Sequence, residues 1–211
     1  RATPSHSTLV VDRRSSARIA PARDSRELLV SAPHRVPIEV SRAPDGLRFE
    51  GGHDGYVKEF GLTHVRKLEL TFDGRGLAGE DMLLALNDAD KRRFDRALDA
   101  TRLGGVTFEL RFHLHPDVDV SLDMGGSAAS MALMSGEIWV LRTDGKAELS
   151  IESSVYLEKT RLKPRATKQI VLSARAMEYA TRVRWSLAKP QDSPVAIRDL
   201  GREQPEPVTE Y

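Results

Sequence analysis

The sequence predicts an all-β fold: a large antiparallel β-sandwich with one short inserted helix. Three observations carry that expectation. Apolar and polar side chains alternate along many short runs, Asp-Gly pairs punctuate the runs, and one segment switches to helical spacing. The 211 residues suit one sandwich of generous size, which places the domain at 1–188 and leaves 189–211 as a Pro-rich, poorly packed tail.

Taken in order, the chain begins with Thr3-Pro4-Ser5-His6-Ser7-Thr8-Leu9-Val10-Val11-Asp12, which puts His6 at the mouth of a strand. Strand-like runs follow at 35–41 and 47–50. The run at 65–72 places Leu68, Leu70 and Phe72 on one face, and another run covers 76–84. Asp45-Gly46 and Asp73-Gly74 lie between these runs, and Asp-Gly favours the primed turns that match strand twist. The segment 87–102 is the helix: Asn87 or Asp88 serves as N-cap, Phe94, Ala97 and Leu98 fall at helical spacing, and Gly104-Gly105 stops it.

The clearest strand is 106–115. Val106, Phe108, Leu110, Phe112 and Leu114 share one face, and Thr107, Glu109, Arg111, His113 and His115 share the other. Weaker runs at 118–123, 138–142, 147–156, 168–174 and 181–187 complete the sheets, with Ser135-Gly136 and Asp144-Gly145 as turns.

Composition narrows the partners. Lys+Arg is 32 and Asp+Glu is 31, a net charge of +1, so no global field favours nucleic acid or an anionic membrane. A polyanion would need a local basic patch. Cysteine is absent, which excludes disulfides and thiolate metal sites. No apolar run is long enough to span a bilayer. The first residue is Arg1, and no signal peptide is visible, so the chain reads as a domain from a longer protein. Phosphate-binding glycine loops, nucleophile elbows and paired glycosidase carboxylates are absent as motifs, which leaves no organic cofactor implied.

Several residues carry chemistry by type and position. Tyr56 sits beside Gly55, close to His53, where a phenol could act as a general acid toward a leaving oxygen. His64 and Arg66 share a strand face, and the guanidinium could take a substrate carboxylate in a bidentate fork or pair with an acid on the next strand. His113 and His115, at i and i+2, could hold one metal ion or serve as hydrogen-bonding residues of a β-surface. His34 reads as a loop residue.

Ordered motifs add a resemblance. Ser5-His6-Ser7-Thr8-Leu9, His53-Asp54-Gly55-Tyr56, Phe60-Gly61-Leu62 with His64-Val65-Arg66, Leu77-Ala78-Gly79-Glu80-Asp81, Arg111-Phe112-His113-Leu114-His115-Pro116, Ser153-Ser154-Val155-Tyr156 and Val183-Arg184-Trp185-Ser186-Leu187 run in one order from about residue 3 to 188. Together they resemble the C-terminal β-sandwich region of heparinase II/III-like proteins. Ser7 stands where that family usually has Asn, which puts a local hydrogen bond in question, and 87–102 is an insertion.

The resemblance implies a bacterial polysaccharide lyase that cleaves uronic-acid-containing chains, glycosaminoglycans among them, by β-elimination. It implies an upstream α/α toroid that supplies most catalytic groups, a periplasmic or alternatively cytoplasmic setting, and a chain that is inactive by itself. Among relatives, a histidine of the sandwich lines the cleft, a place that falls to His6. Relatives with a metal use a His-Asp-His set, which maps on His6, Asp24 and His53 and suits a structural zinc ion. The alternative is a non-catalytic carbohydrate-binding or structural sandwich, because this architecture hosts many functions.

Overall fold

The computed structural model describes residues 2–21, 27–159 and 163–190. Among these residues lie fourteen strands and two α-helices. A four-stranded sheet runs in the order β1 (Leu9–Val11), β8 (Val106–His113), β13 (Arg165–Ala176), β12 (Glu148–Tyr156). An eight-stranded sheet runs β4 (Ile38–Arg42), β5 (Gly46–Tyr56), β6 (Leu62–Thr71), β7 (Gly76–Leu84), β14 (Ala180–Ala188), β11 (Ile138–Thr143), β10 (Ala128–Ala132), β9 (Asp119–Asp123). β2 (Arg18–Pro21) and β3 (Glu27–Ser31) form a separate hairpin. All strand pairings are antiparallel, so the expected sandwich is the fold.

The core lies between the two sheets. Val106, Phe108 and Leu110 of β8 are buried, and Phe112 packs edge-on against Trp185 of β14 with ring centroids 4.8 Å apart. The alternation of β8 therefore points inward as its sequence pattern requires. β6 behaves differently. Leu68 packs against the core, but Leu70 is 41% exposed and Phe72 is 50% exposed. The eight-stranded sheet is wider than the sheet that covers it, so the end of β6 overhangs and Phe72 lies instead under the Arg42 guanidinium, 5.0 Å from its ring centre.

The expected helix is α2 (Asp88–Ala100), and Asn87 is its N-cap, accepting a 3.0 Å hydrogen bond from the Asp90 N–H. It is less solvated than its charge implies, because Phe94 is fully buried and meets Tyr179 edge-on. A second helix, α1 (Val57–Phe60), is a single turn closed by Gly61 at φ 68°. A Cβ at Gly61 would lie 2.1 Å from the Asp90 carbonyl oxygen, so glycine lets α1 and α2 touch. The strand expected after His6 is β1, whereas the sequence pattern shows neither α1 nor the short strands β2, β3 and β10. Residues 191–211, and with them most of the expected tail, lie outside the described residues.

Gly79 has a packing role as well. Its built Cβ would lie 2.2 Å from the indole of Trp185, which covers it across the β7–β14 pair. Gly79→Ala is expected to destabilise the chain by about 1–3 kcal/mol through overpacking, and Asn87→Ala by about 1 kcal/mol through the lost cap. Urea unfolding of the two variants checks both values.

Candidate functional site

The site grows from strand register. β5 and β6 place His53 directly opposite His64, and β6 and β7 place Arg66 opposite Asp81. β14 pairs with β7 so that Trp185 stands opposite Gly79, two residues from Asp81 on the same face. Alternation then points these side chains at one another.

Asp81 is the centre, only 1% exposed. Its Oδ1 accepts from His64 Nε2 at 2.7 Å and from Arg66 Nε at 2.8 Å, and its Oδ2 accepts from Trp185 Nε1 at 3.0 Å. Burial alone would raise its pKa, but the His64 hydrogen bond and the Arg66 charge outweigh burial and hold it below the ordinary carboxylate range.

These bonds fix the histidine tautomers. An ionised Asp81 requires a proton on His64 Nε2, which leaves Nδ1 of a neutral ring as an acceptor. That Nδ1 lies 3.3 Å from His53 Nε2, and the Gly55 N–H donates to His53 Nδ1 at 3.2 Å. His53 thus carries its proton on Nε2 and donates to His64. Burial first, then the neighbouring His64, lowers the His53 pKa to about 4, with Asp54 pulling weakly upward. His53 also lines a cleft of about 520 Å³ with Arg35, Val57, Thr63 and Asn87.

The network reaches the N-terminal motif through Arg66, whose Nη1 donates to the Ser7 carbonyl at 2.8 Å. The other sheet holds the same residue: the His113 N–H donates to Ser7 Oγ at 3.0 Å, and His113 Nε2 donates to the Pro4 carbonyl at 2.9 Å. Ser7 is clamped between both sheets, its carbonyl accepting from Arg66 and its hydroxyl from the His113 N–H. His6, between the clamped Pro4 and Ser7, is exposed.

The remaining expected residues separate. His113 ends β8, and its Nδ1 accepts from the Ser154 hydroxyl at 2.8 Å, while His115 lies beyond the strand, 3.5 Å from Asp117 and edge-on to Tyr156. The two rings serve different partners. Tyr56 is fully buried and donates to the Leu9 carbonyl at 3.0 Å. Burial pushes its hydroxyl up to about 12, against smaller downward pulls from the Val11 backbone and from Thr3 and Ser16. It is a core residue that anchors β1. His34 is a loop residue whose N–H caps Asp54.

Asp24 lies outside the described residues. Among the described residues no three His, Asp or Glu side chains converge as a ligand set. His53 has the best-defined setting of the expected ligands. Two imidazole nitrogens bound to one tetrahedral ion at about 2.0–2.1 Å lie roughly 3.3 Å apart, the spacing of His53 Nε2 and His64 Nδ1. The Asp81 carboxylate on the far nitrogen of His64 is the support such a ligand uses. Two nitrogens are only half of a tetrahedral set, and the Gly55 N–H that donates to His53 Nδ1 keeps the ring proton on Nε2, so in this arrangement the pair is joined by a hydrogen bond. Arg35 and Asp81 are the site residues that sequence reasoning missed as such. Asp81 was in sight inside Leu77-Ala78-Gly79-Glu80-Asp81.

The family profile described as "Heparinase II/III-like, C-terminal" matches residues 1–186. FtsZ-localized protein C of Caulobacter vibrioides is 32% identical over 159 residues, which is 72% of this chain and 25% of that protein. Among solved structures, heparan sulfate lyase HepC from Pedobacter heparinus superposes with a TM-score of 0.62 at 11% identity, over 92% of this chain and 26% of that one. A heparinase III structure gives 0.60 at 11%, over 89% and 24%. The chain spans about a quarter of the length of these relatives. At that identity the superpositions show the fold. Among the described residues no helix is long and apolar enough to cross a membrane.

The network sets a pH dependence. His53 has a folded pKa of about 4, below its ordinary value of 6.5, so its contribution is full above 6.5 and is lost as pH falls toward 4. Asp81, also depressed, loses its contribution at still lower pH. The metal-free chain is expected to lose stability on acidification below about 6.5, and His53→Gln to flatten the upper part of that limb. Asp81→Asn is expected to cost about 3–5 kcal/mol, because it leaves the Arg66 charge unbalanced. Thermal melts between pH 4 and 8 read both effects.

Proposed function

Because the chain belongs to the heparinase II/III-like family, as its C-terminal part, we propose that it forms one wall of a cleft for uronic-acid-containing polysaccharide in a longer protein. The observation that supports this reading most is the clamp at Ser7. It ties the His6 motif to the His53–His64–Asp81–Arg66 network and places His53 on a cleft of about 520 Å³.

In this reading the longer protein is a lyase that eliminates across a bond to a uronate. An upstream α/α toroid supplies the base, the acid and most of the carboxylate binding. The sandwich presents His6 and His53 from one side. Arg35, which has no side-chain partner among the described residues, faces the substrate carboxylate. The Arg66 fork is spent on Asp81 and Ser7, and its Nη2 is buried without a partner. Arg66 therefore positions the wall. His6, Asp24 and His53 would hold a zinc ion, with His64 turned to the same point, and the ion would brace the wall. The periplasm is the compartment this reading calls for.

The test uses the longer protein and heparin-like, alginate-like and other uronate polymers, followed by the ultraviolet absorbance of the unsaturated product. Product is expected from the longer protein and none from the 211-residue chain. Arg35→Ala is expected to raise KM more than it lowers kcat. Metal analysis of the chain is expected to find zinc at one per chain, lost in His6→Ala and His53→Ala. Absence of zinc from the unmodified chain would remove the cation and leave the wall.

A second reading is favoured by the 32% identity to FtsZ-localized protein C. There the sandwich is a non-catalytic module of a protein localised with FtsZ. Failure of every uronate polymer to yield product, together with co-localisation with FtsZ, would establish it over the first.

A further inference from the structure

The cleft beside His53 does not end there. Asp54 lines both that cleft and a neighbouring pocket of about 260 Å³ bordered by Arg18, His34 and Lys58. Lys58 and Glu59 of α1 then line a groove of about 510 Å³ against α2, with Arg14, Arg93 and Arg96. The three hollows adjoin through the shared lining residues Asp54, Lys58 and Glu59, a run of concave surface, or trough, around residues 53–59.

Its charge is unbalanced although the chain as a whole carries only +1. The acids of the trough are committed. Asp54 Oδ1 accepts the His34 and Arg35 N–H groups, and Glu59 and Asp12 lie 3.4 and 3.7 Å from the Arg14 guanidinium. Arg93 is held by Asp90 at 3.0 Å. Lys58 and Arg96 are exposed and have no side-chain partner among the described residues. Phe60, Ala97 and Ala100 supply apolar surface between the cations.

We propose that this trough is a second binding stretch, which holds the acidic polysaccharide beyond the His53 cleft through Lys58 and Arg96. The proposal rests on the polysaccharide reading given above. A concave trough suits a chain, whereas an anionic membrane would meet a flat or protruding basic surface. Apolar patches between cations suit sugar rings that carry charges at intervals. Lysine and arginine side chains such as Lys58 and Arg96 attract carboxylate and sulfate groups alike.

The test is fluorescence anisotropy of the 211-residue chain with a labelled heparin oligosaccharide, with single-stranded DNA of equal charge and anionic lipid vesicles as competing probes. Lys58→Glu with Arg96→Glu is expected to weaken saccharide binding roughly tenfold or more at low salt. Lys146→Glu with Arg142→Glu makes the same change of net charge outside the trough and is expected to leave binding within about twofold. Unchanged melting temperatures keep folding out of the comparison. Saccharide binding that the Lys58/Arg96 variant does not alter would overturn the trough while leaving the polysaccharide reading in place. Absence of saccharide binding in every form of the chain and of the longer protein would overturn the reading itself. Preference for DNA or vesicles over the saccharide would overturn the assignment of the trough to a sugar chain.

Discussion

One buried carboxylate constrains the rest of this structure. Removing Asp81 from water is costly unless each oxygen finds a donor. Arg66, His64 and Trp185 meet that demand from three different places on the sheet. Their convergence ties β6, β7 and β14 together and needs the glycine at position 79, over which the Trp185 ring lies. From Asp81 the order spreads two ways. One path runs through His64 to His53 and the cleft. The other runs through Arg66 to Ser7 and the exposed His6. A change at the centre is felt at both ends, because buried polar networks stand or fall as units.

Much of the fold was legible because half-buried strands write their orientation in alternate residues. The run at 106–115 pointed inward as its pattern required, and Asn87 capped the one helix that the spacing showed. Leu70 and Phe72 misled for a physical reason: alternation marks a face as apolar but does not say how far the opposite sheet extends over it. The short β2 and β10 carry too few residues to show a period.

The site was legible in kind and not in partnership. His53, His64 and Arg66 were visible as chemistry-bearing residues, and Asp81 and Trp185 stood inside recognised motifs. That the five form one network depends on register, which sequence alone does not specify here. Tyr56 and His113 show the converse. Both had the right residue type for catalysis or metal binding, and the fold spends them on the Leu9 carbonyl and on the Pro4–Ser7 clamp. The reactive groups are thus largely committed to each other, and the fold leaves His6 and Arg35 exposed and His53 on the cleft.

The central claim is the direction of the proton chain that starts at the Gly55 amide and ends at Asp81. Nitrogen-15 chemical shifts of the imidazoles of His53 and His64 in the metal-free chain at pH 7 test it directly. The account predicts both rings neutral, each with its proton on Nε2 and a bare Nδ1. A protonated Nδ1 on His64, or rapid exchange between tautomers on either ring, would contradict it.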